Sequence, residues 1–322
     1  MRIQSVTPAI ALPGGIIRVE LEGLKHPIGV EVDVGGVQAE LVAASTEVLT
    51  VRIPPGAGEG IRVVGEVGEA TADLKVGRLI ASEFHAVANP VVDSFGNVYV
   101  TLSGARGEKV PFGVYVVHPD GTRQPFLADI TNPTAMAIGP DHCLYVTSRH
   151  TGVAYRSTFD KQVEKYVDGL GLATGVVFDS RGNLLVGDRG GRIFKVKPTR
   201  EVSVVCELEP SVSAYHLAIG EGDVLYVTGP TLSTQDSIYR VSPEGEVEVF
   251  FKGLGRPQGL AFDRTGDLQV VASYRGKKGV CTFRNGKPEW TISGPMLVGL
   301  AYNEDKSLLY LVDNTNLYGV KW

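Results

Sequence analysis

The sequence predicts an all-β protein in two parts, a small β-sandwich over residues 1–77 and a six-bladed β-propeller over residues 78–322. Three observations carry this. Hydrophobic and polar residues alternate with a period of two almost throughout, and helical periodicity is nearly absent. Forty glycines and eighteen prolines are spread evenly along the chain, as many short strands joined by tight turns require. Finally, one motif recurs as DSFGNVYV, GPDHCLYV, DSRGNLLV, GEGDVLYV and DRTGDLQV. Its strand-end residues Val100, Val146, Val186, Val227, Val270 and Leu311 lie 46, 40, 41, 43 and 41 residues apart. A four-strand unit repeating near every forty residues is the signature of a propeller.

The N-terminal elements read, in order, GIIRVELEG, IGVEVDVGG, VQAELVAAS, EVLTVRIPP, IRVVGEVG and EATADLKV. Alternation with a turn signal every eight to twelve residues is the sequence form of an immunoglobulin-like sandwich. In each later unit an inner strand such as GLAFD or TAMAIG leads through a turn into a second strand such as NLLV. A variable loop, a third strand such as RIFKV and an outer strand such as VEVFFKGL follow. The turn aspartates are expected to serve turn geometry and not a ligand. The sixth unit stops after its third strand at Trp322, and GRLIASEF, residues 77–84, has the form of an outer strand. The ring is therefore expected to close by pairing residues near 79–83 with the strand ending at Trp322, which leaves no bare edge.

Composition narrows the function. Hydrophobic residues make up 43% of the chain, enough for a large core, and the formal charge of -5 argues against a broad polyanion-binding face. Tyr274 with Arg275, Lys277 and Lys278 is the one basic–aromatic cluster, so no nucleic-acid partner is expected. No apolar run is long enough to span a bilayer, and no membrane partner is expected. MRIQSVTPAI enters strand-like sequence at once, which reads as cytoplasmic, or as exported if a signal has been trimmed. Cys143, Cys206 and Cys281 are widely spaced, form no CxxC pair and are expected to be buried and reduced.

A site is expected where the starts of the inner strands and the loops between second and third strands meet on one face. The inner-strand starts are Ala88-Asn89, Thr134-Ala135, Thr174-Gly175, Tyr215-His216, Gln258-Gly259 and Val298-Gly299. The loops bring Arg106, Arg149, Arg189, Arg275 and Lys277, with Asp188 beside them. Arginines from four separate units aimed at one face point to an anionic ligand, because the guanidinium fork matches carboxylate and phosphate. The competing reading pairs each arginine with a nearby acid, Asp188, Asp236 or Asp313, in exposed ion pairs of little worth. His216 is the only histidine at a channel position, and beside Tyr215 it is a candidate general base or oxyanion donor. It is equally a candidate packing element. Asn89, where other units carry small residues, needs partners, which are a ligand, a metal or backbone amides.

Two family resemblances follow. Pro13-Gly14-Gly15, Gly35-Gly36 and Pro54-Pro55-Gly56 stand where IPT/TIG domains carry their Pro-Gly-Gly opening, central Gly-Gly turn and VPPG-like strand end. RPQGLAFDRTGDLQV and ATGVVFDSRGNLLV resemble the SMP-30/gluconolactonase and NHL-repeat superfamily of six-bladed propellers. In that superfamily's calcium-dependent lactonases, four inner-strand starts supply Glu, Asn, Asn and Asp to Ca²⁺. Carried across, those places fall on Ala88, Thr134, Thr174 and Tyr215, so the resemblance implies the fold without the metal, and no cofactor is expected. Strictosidine synthase-like relatives work without a metal through an acid or base in the channel.

Two functional readings result. The first is a ligand-binding propeller that takes a small anionic or sugar-like molecule through Asn89, Thr134, Thr174, Gln258, Arg106, Arg149, Asp188, Arg189 and Arg275, with the sandwich free to dock a protein partner. The second is a metal-independent hydrolase, lactonase or lyase using His216 and Tyr215. The lactonase would be calcium-dependent only if the alignment of the four positions were displaced.

Overall fold

A computed structural model describes residues 1–322 and contains no α-helix, only strands and a single 3-10 turn at Glu221–Asp223. The first seventy-odd residues build two four-stranded sheets. One orders the strands Arg2–Thr7, Ile16–Glu22, Val48–Arg52 and Glu40–Ala44; the other orders Val37–Gln38, Glu31–Val34, Ile61–Gly65 and Gly68–Ala72. Alternation places Ile17, Val19, Leu49, Val51, Val32, Val34, Ile61 and Val63 between the sheets in one apolar core, while the intervening residues face water.

The all-β chain is consistent with a β-propeller, and the strands from Arg78–Ala81 onward fall into six successive sheets. Their inner strands are Val91–Val92, Pro133–Ile138, Ala173–Phe178, His216–Ile219, Leu260–Phe262 and Leu297–Tyr302. Each lies beside the next, and the first also lies beside the last, so the ring is closed. Closure happens as the repeat pattern requires: Arg78–Ala81 pairs antiparallel with Leu317–Lys321, with Leu79 opposite Tyr318. Apolar clusters fill the wedges between neighbouring sheets, with Val146, Val186, Val227, Val270 and Leu311 all buried. The turn aspartates act on the turns. Asp93 Oδ1 accepts the amides of Phe95 and Asn97, both at 2.9 Å, and Asp179 holds Arg181 and Asn183 in the same way.

One feature has no counterpart in the sequence pattern. The fifth sheet carries two extra strands, because Ile10–Ala11 runs parallel to Ile292–Ser293 and Lys75–Val76 runs parallel to Ile10–Ala11. Leu12, 1% exposed, packs with Val280, Ile292 and Leu297 of the propeller and not with the sandwich. The amide of Leu12 donates to Ser293 O and that of Ile16 to Ser293 Oγ, both at 2.8 Å. The sandwich is thus hydrogen-bonded to the segment that leads from the fifth sheet into the sixth.

The thiols partly follow expectation. Cys143 and Cys281 are buried, Cys206 is half-buried, and all three are free. Burial pushes the Cys206 thiol up to about 11 and Cys281 up to about 12, which keeps both protonated and poorly nucleophilic.

A cationic cavity over a closed floor

Strand register fixes which residues stand at equal depth around the ring. Met136 faces Val146, Val176 faces Val186, Leu217 faces Val227, Leu260 faces Val270 and Leu300 faces Leu311. One residue earlier, Asn89, Ala135, Gly175, His216, Gly259 and Gly299 therefore form one level. A further step back, Ala88, Thr134, Thr174, Tyr215, Gln258 and Val298 form the level nearer the mouth.

The deeper level is closed. A Cβ added at Gly259 would sit 2.0 Å from Asn89 Oδ1 and 2.6 Å from the Cα of Gly299, so the inner strands touch here and glycine is obligatory. Asn89 is not aimed at a ligand: its Nδ2 donates to Leu260 O at 2.9 Å and its Oδ1 accepts the Leu300 amide at 3.1 Å. Of the partners open to it from sequence, the backbone is the one it takes, tying the first sheet to the fifth and sixth. His216 is 2% exposed, and its Nε2 has no hydrogen-bond partner. Burial lowers its pKa from 6.5 to about 4, so the ring is neutral at physiological pH.

Several other expected site residues also belong to the scaffold. Tyr215 is turned into the wedge between the third and fourth sheets, where it packs with Leu185, Ile193 and Val227, and its hydroxyl donates to Glu209 O. Desolvation is the main cause that pushes its pKa well above the usual phenol range. Thr134 is buried and donates to Asn132 O at 3.2 Å. Asp188 is buried as well; it accepts the amides of Leu172 and Gly190 and two bonds from Arg192, at 3.1 and 2.9 Å. Arg275 caps the hairpin between Leu268–Tyr274 and Lys277–Arg284 and lies over the ring of Tyr274, 5.1 Å from its centre. None of these lines the cavity.

Above the closed level is a cavity of about 570 Å³, within the range of small-molecule sites. Arg106, Arg149 and Arg189 from the loops and Thr174 and Gln258 from the inner-strand starts line it, together with Arg256, Lys278, His85, His150, Ser213, Ser273 and Asn314. No aspartate or glutamate does. None of the five cationic side chains makes an ion pair anywhere in the protein. The pairing with Asp188, Asp236 and Asp313 therefore does not occur: Asp188 takes Arg192, Asp236 takes Thr231, and Asp313 takes Thr315 and Asn316. Arg189 is braced instead by carbonyls, donating to Ser211 O at 3.0 Å and Val212 O at 2.7 Å. Arg149 reaches Gly104 O at 3.4 Å; burial first, and the charge of Arg189 second, lower its pKa. Like charges held together without counter-charge cost folding energy.

The four positions that the calcium-dependent lactonase resemblance singled out do not fit a cation here. Ala88 offers a methyl group, the hydroxyls of Thr134 and Thr174 donate to Asn132 O and Gly187 O, and Tyr215 is turned away. No three His, Cys, Asp or Glu side chains anywhere in the chain converge as metal ligands.

Arg256 and Lys278 were missed for definite reasons. Arg256 precedes Pro257 on the approach to an inner strand, outside the loops expected to carry function, and adopts a left-handed φ of 48°. Lys278 lies beyond the hairpin apex, and only the register Ser273↔Lys278 places it at the rim while Arg275 turns out. Asn132, Arg256 and Met296, each two residues before its inner-strand start, share a positive φ, a backbone geometry of the approach segments that the sequence does not display.

No protein-family model and no curated protein sequence matches the chain. Solved structures share its fold. A gluconolactonase from Xanthomonas campestris superposes with a TM-score of 0.63 at 15% identity, over 94% of this chain and 99% of the other. A catalytically inactive histidine-to-alanine variant of virginiamycin B lyase from Staphylococcus aureus, with quinupristin, gives 0.55 at 13% identity over 95% and 99%. An auxiliary nutrient binding protein from Bacteroides thetaiotaomicron gives 0.56 at 12% identity over 100% and 98%. At these identities the likeness is one of fold, to β-propellers of the gluconolactonase and lyase type.

Proposed function

We propose that this chain is a ligand-binding protein in which an immunoglobulin-like sandwich of the IPT/TIG kind, residues 1–77, is fixed to a six-bladed propeller, residues 78–322. The propeller holds a small anionic or sugar-acid ligand in the cavity at its mouth. The single observation that carries this is the set of five cationic side chains, Arg106, Arg149, Arg189, Arg256 and Lys278, lining a cavity with no acid. Charge-assisted hydrogen bonds from guanidinium groups supply affinity for carboxylate or phosphate, and Gln258, Ser213, Ser273 and Asn314 offer neutral partners for hydroxyl groups. Two neighbours in fold are described as nutrient-binding proteins, which agrees with this reading. The hydrogen bonds of Leu12 and Ile16 to Ser293 make the sandwich a rigid support for the cavity wall at Gly294, Met296 and Leu297, and leave its outer strands free for a protein partner. The test compares gluconate, glucuronate and glucose 6-phosphate with glucose by calorimetry. The three acids are expected to bind at least tenfold more tightly than the neutral sugar, a factor set by one charge-assisted bond. Equal binding of glucose and the acids contradicts the reading.

A second reading, a metal-independent hydrolase or lyase, is favoured by two cavity histidines, His85 and His150. With His216 sealed beneath the cavity and Tyr215 in the core, a general base comes from these two: an imidazole nitrogen would accept the proton of an attacking water, or one α to a carbonyl. The virginiamycin B lyase neighbour loses activity in a histidine-to-alanine variant, a precedent in kind only. Turnover of an anionic lactone that vanishes in His150→Ala or His85→Ala would establish this reading.

A further inference from the structure

The cations of the cavity are not spread evenly around it. Arg106, Arg149 and Arg189 come from the first, second and third sheets in turn. Arg256 and Lys278 belong to the approach to the fifth sheet and to that sheet itself. Because the inner strands form a closed ring of six in chain order, the fifth sheet stands opposite the second. In the arcs between the poles the lining residues themselves are uncharged, Val212, Ser213 and Ala214 on the approach to the fourth sheet and Met296, Leu297 and Val298 at the sixth, with the Arg189 guanidinium leaning over the former at Val212 O. A sphere of the cavity's volume is about 10 Å across, wider than a single carboxylate, so one compact anion does not contact both poles at once.

We propose that the cavity takes an elongated dianion, with one anionic group at the Arg106–Arg149–Arg189 pole, the other at the Arg256–Lys278 pole, and an uncharged middle along the apolar arcs. This rests on the anion-binding reading above and sharpens it to a substrate class: a molecule with two acidic ends, such as a dicarboxylic acid, and not a compact monoanion. The poles differ in character. The first is formed by guanidinium groups, of which Arg189 is already fixed by two carbonyl bonds, and suits a planar, two-oxygen group. The second adds an ammonium that acts as a point charge.

The experiment is calorimetric titration of the protein with α,ω-dicarboxylates from succinate to sebacate and with the monomethyl ester of each, at constant ionic strength. Affinity is expected to pass through an optimum with chain length, and at that optimum the half-ester is expected to bind at least tenfold more weakly. In Arg149→Gln and in Lys278→Gln, each lacking a charge at one pole, the advantage of diacid over half-ester is expected to fall towards unity. If half-esters bind as tightly as diacids and lose affinity in the two variants, the two-pole inference fails and the anion-binding reading stands. If no diacid or half-ester binds, the two-pole inference is overturned. If sulfate at the same ionic strength also fails to protect the protein against unfolding, the anion-binding reading fails with it.

Discussion

Two adjacent levels of the propeller channel treat polar groups in opposite ways. On the floor, Asn89 uses both ends of its amide on backbone groups of other sheets, and the gap closes on Gly259. At the rim, five cations share a wall without one carboxylate among the lining residues. The residue types alone do not separate the two, since an asparagine, a tyrosine and a histidine look as functional as an arginine. What separates them is uncompensated charge: the floor asparagine is neutral and held by backbone groups, whereas the rim cations have no counter-charge among the lining residues. The bonds of Asn89 stabilise the ring, and like charges without counter-charge at the rim cost stability.

That contrast is open to attack by substitution. The largest effect is expected on the floor. Asn89→Ala orphans the Leu300 amide and the Leu260 carbonyl in a buried place, and should cost about 4 kcal/mol in denaturant unfolding while leaving anion affinity unchanged. A stability loss below about 1 kcal/mol would show that the floor is not held by this residue.

His216 comes next. Its pKa in the folded protein, about 4, lies below the 6.5 of an exposed ring. The unfolded chain therefore binds the proton first as pH falls. Stability from this group is complete above pH 6.5 and is lost as pH drops towards 4, by about 3 kcal/mol at most. His216→Gln should flatten the fall in unfolding free energy over that window. An unchanged slope would mean that the ring is solvated, contrary to its burial.

A smaller stability change of opposite sign is expected at the rim. Arg149→Gln removes a half-buried charge that Arg189 repels, so stability should rise by about 0.5 kcal/mol as affinity for a carboxylate ligand falls about tenfold. Rim and floor would then respond in opposite directions in stability, and only the rim would respond in affinity. The smallest effect is expected at Arg275→Ala, within about 0.5 kcal/mol and with no change in binding, because that side chain lies over Tyr274 at an exposed hairpin apex.

Much of the architecture was legible because it is periodic. The spacing of Val100 to Leu311 announces the propeller, and the orphan strand 77–84 announces how the ring closes, since a repeat that stops one strand short needs that strand elsewhere. The added strands Ile10–Ala11 and Lys75–Val76 were not legible, since two residues carry no period and their parallel pairing is a tertiary accident of where the sandwich docks. At the site, arginines in loops after second strands were found because loop position predicts the face. Arg106, Arg149 and Arg189 reach the cavity, and Arg275 does not, since its fifth-sheet loop is a tight hairpin that turns its apex outward. Tyr215, expected beside His216 as a catalytic group, and Asp188, expected as a ligand contact, lie elsewhere for one reason: sequence gives a residue's depth along its strand but not which way its side chain leaves it. Tyr215 goes into the wedge between sheets, and Asp188 goes under its own loop to meet Arg192.

The central claim is that uncompensated charge at the rim awaits an anion. It is tested most directly by the unfolding midpoint of wild type and of Arg149→Gln/Lys278→Gln as sulfate replaces chloride at constant ionic strength. A ligand that binds only the native state raises that midpoint with concentration. The account predicts a saturable rise in wild type and little or none in the double variant. Identical responses in the two proteins would contradict it.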